Sequence, residues 1–107
     1  MSYEKTVIEL LQRGESEAVA VEALGRQPFK YGMLRHHVDA TILALNNLGV
    51  GRNDPVAIVL PNGPEMAMAF VAISAGATTA PLNPSYRADE FEFYLSDLKA
   101  KLLIVAA

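Results

Sequence analysis

The sequence contains no cysteine, which removes a disulfide framework, a thiolate nucleophile and a Cys-based zinc site. Basic charge is scarce: 9 Lys and Arg against 12 Asp and Glu give a net charge of -3. Such a chain carries no basic field for nucleic acid or anionic lipid. The opening MSYEKTVIELLQRG has acidic residues where a secretory leader has a basic region followed by an apolar run, and a cytoplasmic protein is expected. Charge is missing entirely between Glu65 and Arg87. A membrane span needs about 20 continuous helical residues, however, and Gly76, Pro81, Asn83 and Pro84 interrupt this stretch. Histidine occurs only at His36 and His37, adjacent positions that point about 100° apart on a helix and so do not share a metal.

What is present is apolar sequence, 51% of 107 residues, with 20% charged. These proportions fit an α/β domain, one small domain or a piece of a larger one, burying roughly 65% of its unfolded surface. Val56-Ala57-Ile58-Val59-Leu60 is apolar without alternation, the pattern of a parallel strand covered by helices on both faces. Pro61 to Gly63 turns the chain, and Pro64 suits the first position of a helix, where its missing N–H costs nothing. That helix is predicted to run to Ala75 and, being apolar all round, to be buried, with Gly76 as its left-handed terminator. Thr78 to Leu82 follows as a strand, completing a right-handed βαβ unit.

Elsewhere, Thr6 to Gln12 has helical spacing. Ala18 to Val21 and Phe29 to Tyr31 read as a hairpin turning through Gly25 and Arg26. From Gly32 to Leu48, the recurrence of Leu34, Val38, Thr41, Ile42, Leu45 and Leu48 predicts an amphipathic helix closed by Gly49. Ala88 to Leu98 is predicted as a helix burying Phe91, Tyr94, Leu95 and Leu98, with Asp89 and Glu90 favouring the positive end of its dipole. Leu102 to Val105 is the last strand. The apolar run Leu103-Ile104-Val105-Ala106-Ala107 predicts an exposed sheet face and edge, self-association of the isolated chain, and a first part of a longer protein.

No pattern locates an active site. Gly49-Val50-Gly51 precedes a strand instead of following one, so it is no dinucleotide fingerprint. Asn62-Gly63 lies between a strand and a helix start, where backbone amides hold anions, but with a single glycine there a plain turn is the better reading. Ser74 sits inside a helix and not on a strand-to-helix elbow. The aromatic residues Phe91, Phe93 and Tyr94 read as core and helix flank.

Several blocks do resemble a known family. Phe29-Lys30-Tyr31-Gly32-Met33-Leu34 is similar to the first core motif of the adenylate-forming superfamily of acyl-CoA synthetases, luciferases and peptide-synthetase adenylation domains. Leu48-Gly49-Val50-Gly51, Asp54, Val56 to Asn62 and Pro64-Glu65 are similar to its next block. Ile73-Ser74-Ala75-Gly76-Ala77 with Ala80-Pro81-Leu82-Asn83-Pro84 resembles its second core motif. The likeness runs from about Ala18 to Val105. Ala80 to Asn83 with Glu90 to Asp97 is similar to oxalate–CoA ligases and the bacterial acyl-CoA synthetases near them. Lys30 and Arg87 stand where a capping Thr or Ser is common, and Met33 where a Glu is usual, which weakens the helix starts.

The resemblance implies the N-terminal part of the large domain of an AMP-forming acyl-CoA synthetase: an α/β fragment, residues 1–107, with a mostly parallel sheet, flanking helices and an N-terminal β-hairpin. ATP with Mg2+, a carboxylic acid and CoA are then the parent's substrates, and the rest of the polypeptide is this chain's partner. The family's phosphate loop, Mg2+ motif, ribose Asp and mobile-domain Lys have no match before Ala107. Catalytic, cofactor-binding and metal residues are therefore expected to be none here, and the chain alone inactive. The alternative is a stand-alone, non-catalytic α/β module that binds a protein partner through its exposed sheet.

Overall fold

The structure, a computed structural model, describes residues 6–106. Residues 1–5 and Ala107, on which the readings of the leader and of the chain's end partly rest, lie outside the described residues. The elements are α1 (Val7–Leu11), β1 (Val19–Val21), β2 (Phe29–Lys30), α2 (Tyr31–Asn47), β3 (Pro55–Val59), α3 (Pro64–Ser74), β4 (Thr78–Pro81), α4 (Ala88–Leu98) and β5 (Leu102–Val105). β1 and β2 form an antiparallel hairpin, and β3, β4 and β5 form a parallel sheet in the order β4-β3-β5. The expected α/β class, parallel sheet and hairpin are all present.

β3 is central because its sequence has no polar face to show to water. Val56, Ala57 and Ile58 are each 0% exposed. Val56 and Ile58 point toward α2 and α3, joining Leu45, Val50, Ile73 and Ala77, with Leu102 and Ile104 of β5 packed beside them. Strand alternation sends Ala57 and Val59 to the other face, where Val59, Leu103 and Val105 meet Phe91 and Leu95 of α4. α3 and α4 therefore cover opposite faces. The step from β3 to β4 and the step from β4 back across to β5 run in opposite directions, so a common right hand requires this placement.

α2 and α3 pack through Leu34, Val38 and Ala72, with Ile42, Val71 and Ala75 around them. Arg35 ties the segment after α1 to α2: its guanidinium donates to the carbonyls of Leu11 at 2.9 Å and Gly14 at 2.6 Å, and to Ser16 Oγ at 2.8 Å. At the amino edge of the sheet, Asp54 Oδ2 accepts from Gly51 N at 2.7 Å, and Lys101 Nζ donates to Gly49 O at 2.7 Å with Asp54 Oδ2 3.4 Å away. Thr78 N donates to Asp54 O and Lys101 N to Pro55 O. One short turn thus sets the starting points of all three strands.

The pattern reading needs four corrections. Gly49 closes α2 with φ 79°, but Gly76 is not among the positive-φ glycines. It is small for a packing reason, since a Cβ there would lie 2.9 Å from Ile42 Cγ1. Leu48, on the predicted buried stripe, is 65% exposed, because α2 ends at Asn47 and the side chain lines an open groove beside β5. α3 buries only Ala72 and Ile73, leaving Phe70 41% exposed; one of its flanks has no neighbour among the described residues. α4 buries none of its predicted stripe, since the sheet beneath it is only three strands wide.

Lys30 makes no side-chain cap at the start of α2. At α4, Arg87 keeps half of a capping box, its backbone N–H donating to Glu90 Oε1 at 3.1 Å. Replacing Ile58 by Ala is expected to cost about 2–5 kcal/mol in chemical denaturation, since two flanking strands and two helices prevent collapse into the cavity. The Gly51 amide first, and then the Lys101 ammonium, hold the Asp54 carboxyl below the ordinary aspartate range. A depressed folded value contributes stability above the unfolded value near 3.9, which is lost as pH falls through the folded value. The denaturation midpoint is expected to drop below about pH 4, less steeply in Asp54→Asn.

Candidate functional site

In an open parallel sheet, ligands sit outside the carboxyl ends of the strands where neighbouring connections leave for opposite faces. Here that point lies between β3 and β4. The loop after β3 leads to α3 on one face, and the loop after β4 leads to α4 on the other. Between them is a crevice of about 540 Å³ lined by Leu60, Pro61, Asn62, Met66, Asn83 and Ser85 among others. Leu82 N donates to Ile58 O at 2.9 Å, holding the second loop against β3. Asn83 Oδ1 accepts from Ser85 N at 2.8 Å, a local turn that fixes the loop.

The crevice offers amides, a hydroxyl and apolar walls. Its lining contains no Lys, Arg, His, Asp or Glu. It can hydrogen-bond a neutral group, but it brings no charge to neutralise a phosphate and no acid or base to move a proton. Beside it, Glu65 at the start of α3 is engaged by Arg26, whose guanidinium lies 2.6 Å from Oε1. Arg26 and then the residue's own backbone amide keep the Glu65 carboxyl below the ordinary glutamate range. This acid therefore occupies the positive end of α3 itself. Among the described residues, no group of three or more His, Asp or Glu is placed to hold a metal ion.

The structure scatters the residues that the patterns singled out. Asn62 reaches the crevice and Gly63 caps α3. Gly49 and Gly51 lie at the opposite, amino edge of the sheet. His36 and His37 line a separate groove with Glu17 and Lys30, and His37 meets the Phe29 ring edge-on at 6.4 Å. Ser74 Oγ pairs with Thr79 Oγ1 at 3.2 Å. Asp89 and Glu90 flank Arg87 at 3.2 and 3.6 Å.

Sequence reasoning passed over Tyr86, which follows the crevice loop. Its ring stacks on Tyr94 at 5.1 Å and meets Phe91 edge-on at 5.7 Å. Burial first, and then Tyr94, raise its phenol above the ordinary tyrosine range. The signal available was spacing: Tyr86, Phe91 and Tyr94 bracket the first turns of a helix.

A family model described as AMP-binding enzyme matches residues 10–107. The chain belongs to the AMP-binding enzyme family. A probable CoA ligase, CCL9, from Humulus lupulus is 42% identical over 90 residues, which cover 83% of this chain and 17% of that protein. An oxalate–CoA ligase from Arabidopsis thaliana is 48% identical over 63 residues, 58% of this chain and 12% of that protein. Among solved structures, a fatty acyl CoA synthetase from Mycobacterium tuberculosis superposes with a TM-score of 0.82 at 26% identity, over 96% of this chain and 22% of that one. The chain thus spans less than a quarter of the AMP-binding enzymes it matches here. No helix of the described residues is long and apolar enough to cross a membrane.

Proposed function

We infer that residues 1–107 are the N-terminal part of the large domain of an ATP-dependent, AMP-forming acyl-CoA synthetase of the cytoplasm. The observation that carries this reading is the family match over residues 10–107 together with the identity to a CoA ligase over most of the chain. In the parent reaction a carboxylate oxygen attacks the α-phosphorus of ATP. The bond to pyrophosphate breaks, leaving an acyl-adenylate. The sulfur of CoA then attacks the acyl carbon, its proton is lost, and AMP departs with the bonding electrons.

Within that enzyme this chain supplies architecture. The uncharged crevice and the absence of a metal-holding cluster among the described residues support assigning it no catalytic, cofactor-binding or metal residue. ATP with its Mg2+, and CoA, are then handled by other parts of the polypeptide. The rival reading, a stand-alone module that binds a protein through its sheet, draws on the apolar grooves beside β5.

The two readings separate in one assay. The polypeptide containing this chain is expected to exchange labelled pyrophosphate into ATP only when its carboxylate is present, and the 107-residue chain to give no exchange. Exchange by the short chain would refute the assignment of catalysis to other segments. A parent with no exchange under any carboxylate would favour the partner-binding module.

A further inference from the structure

Asparagine stands at positions 46, 47, 53, 62 and 83, and the fold leaves these side chains in unlike surroundings. Asparagine is a thermolabile residue: the main-chain nitrogen of the residue that follows attacks its side-chain carbonyl carbon. The attack needs a nitrogen that carries a proton, is not held in a hydrogen bond and is not crowded by its own side chain.

Most of these positions fail that requirement. Asn46 and Asn47 lie in α2, and the Leu48 N–H that follows them donates to the carbonyls of Ala44 and Leu45 at 3.2 and 3.0 Å. After Asn53, the Asp54 N–H donates to Gly51 O at 3.0 Å. Asn83 is followed by Pro84, which has no N–H. Asn62 differs on each count. It is exposed, as is Gly63. Among the described residues, the Gly63 N–H has no acceptor and the Asn62 carboxamide no partner. Gly63 also has no Cβ to crowd the approach.

The local charges favour the same step. The attacking nitrogen must lose its proton, and the positive end of α3 favours the anion that results. The Glu65 carboxylate, 3.6 Å from where a Gly63 Cβ would stand, is offset by Arg26, 2.6 Å from Oε1.

We propose that Asn62-Gly63 is a site of spontaneous deamidation, with water as the co-reactant. The deprotonated Gly63 nitrogen forms a bond to Asn62 Cγ, the Cγ–Nδ2 bond breaks, and ammonia leaves with a proton from solvent. The cyclic succinimide then takes up a water molecule. Opening at Cγ restores the main chain with an aspartate, and opening at the main-chain carbonyl leaves isoaspartate, with the chain running through the side chain. Either product places a carboxylate in the crevice between β3 and β4, whose lining is otherwise uncharged. Isoaspartate also lengthens the main chain by a methylene between β3 and α3. The inference rests on this loop and not on the ligase reading.

Peptide mapping of the polypeptide containing this chain, held at mildly alkaline pH in its native state and in denaturant, tests this. Native Asn62 is expected to convert within about tenfold of its denatured rate, since a segment that is not held needs no local opening to react. Both aspartate and isoaspartate are expected, formed faster as pH rises. Asn46, Asn47, Asn53 and Asn83 are expected to stay intact in the native protein over the same period. A larger slowing of Asn62 on folding would overturn the proposal. Aspartate without isoaspartate would overturn it too, showing hydrolysis by water with no attack from Gly63. So would conversion of native Asn53 or Asn83 at the rate of Asn62.

Discussion

The structure depends on one constraint: β3 is hydrogen-bonded on both edges and covered on both faces. Val56, Ala57 and Ile58 are fully buried, so each must be apolar, and helices must lie on both sides. Fully burying a Val or Ile contributes about 1.5–3 kcal/mol, which makes this five-residue strand a large share of a small core. The rest follows from serving it. α2 and α3 close one face, α4 closes the other, and β4 and β5 satisfy its two edges.

Placing helices on opposite faces has a chemical consequence. The two loops at the carboxyl end of β3 and β4 diverge and leave a crevice. In this chain the crevice is uncharged, and its polar side chains, Asn62, Asn83 and Ser85, are hydrogen-bonding groups without acid, base or cation. The charged side chains go to the frame instead. Arg35 fastens the segment before the hairpin, Arg26 joins the hairpin turn to α3, and Lys101 with Asp54 aligns the strand starts. A chain that places its charges in the frame fits the supporting role proposed for it.

Much of the fold was legible because its signals are local. The unbroken run Val56 to Leu60, Pro64 at a helix start, Gly49 with positive φ, and Ala88 to Leu98 each follow from neighbouring residues. What escaped depends on distance in the chain. The small size of Gly76 is explained by Ile42, 34 positions earlier, pressing on it. Periodicity could not distinguish the part of the α2 stripe that packs on α3 from Leu48, which borders an open groove. The stripe of α4 was read correctly as apolar, but its burial requires more sheet than three strands supply. The crevice was invisible for the same reason, since Asn62 and Asn83 come together only through the order of the strands.

The central claim is that this chain shapes the enzyme and contributes no reacting group. Its most direct test replaces Asn62, Asn83 and Ser85 together by Ala in the parent polypeptide and measures the rate of acyl-adenylate formation at saturating substrates. The account predicts a rate within about twofold of the parent's, against the ~10²–10⁴-fold that a lost acid, base or oxyanion donor costs. A hundredfold loss with unchanged Tm would contradict it and place part of the reaction in the crevice between β3 and β4.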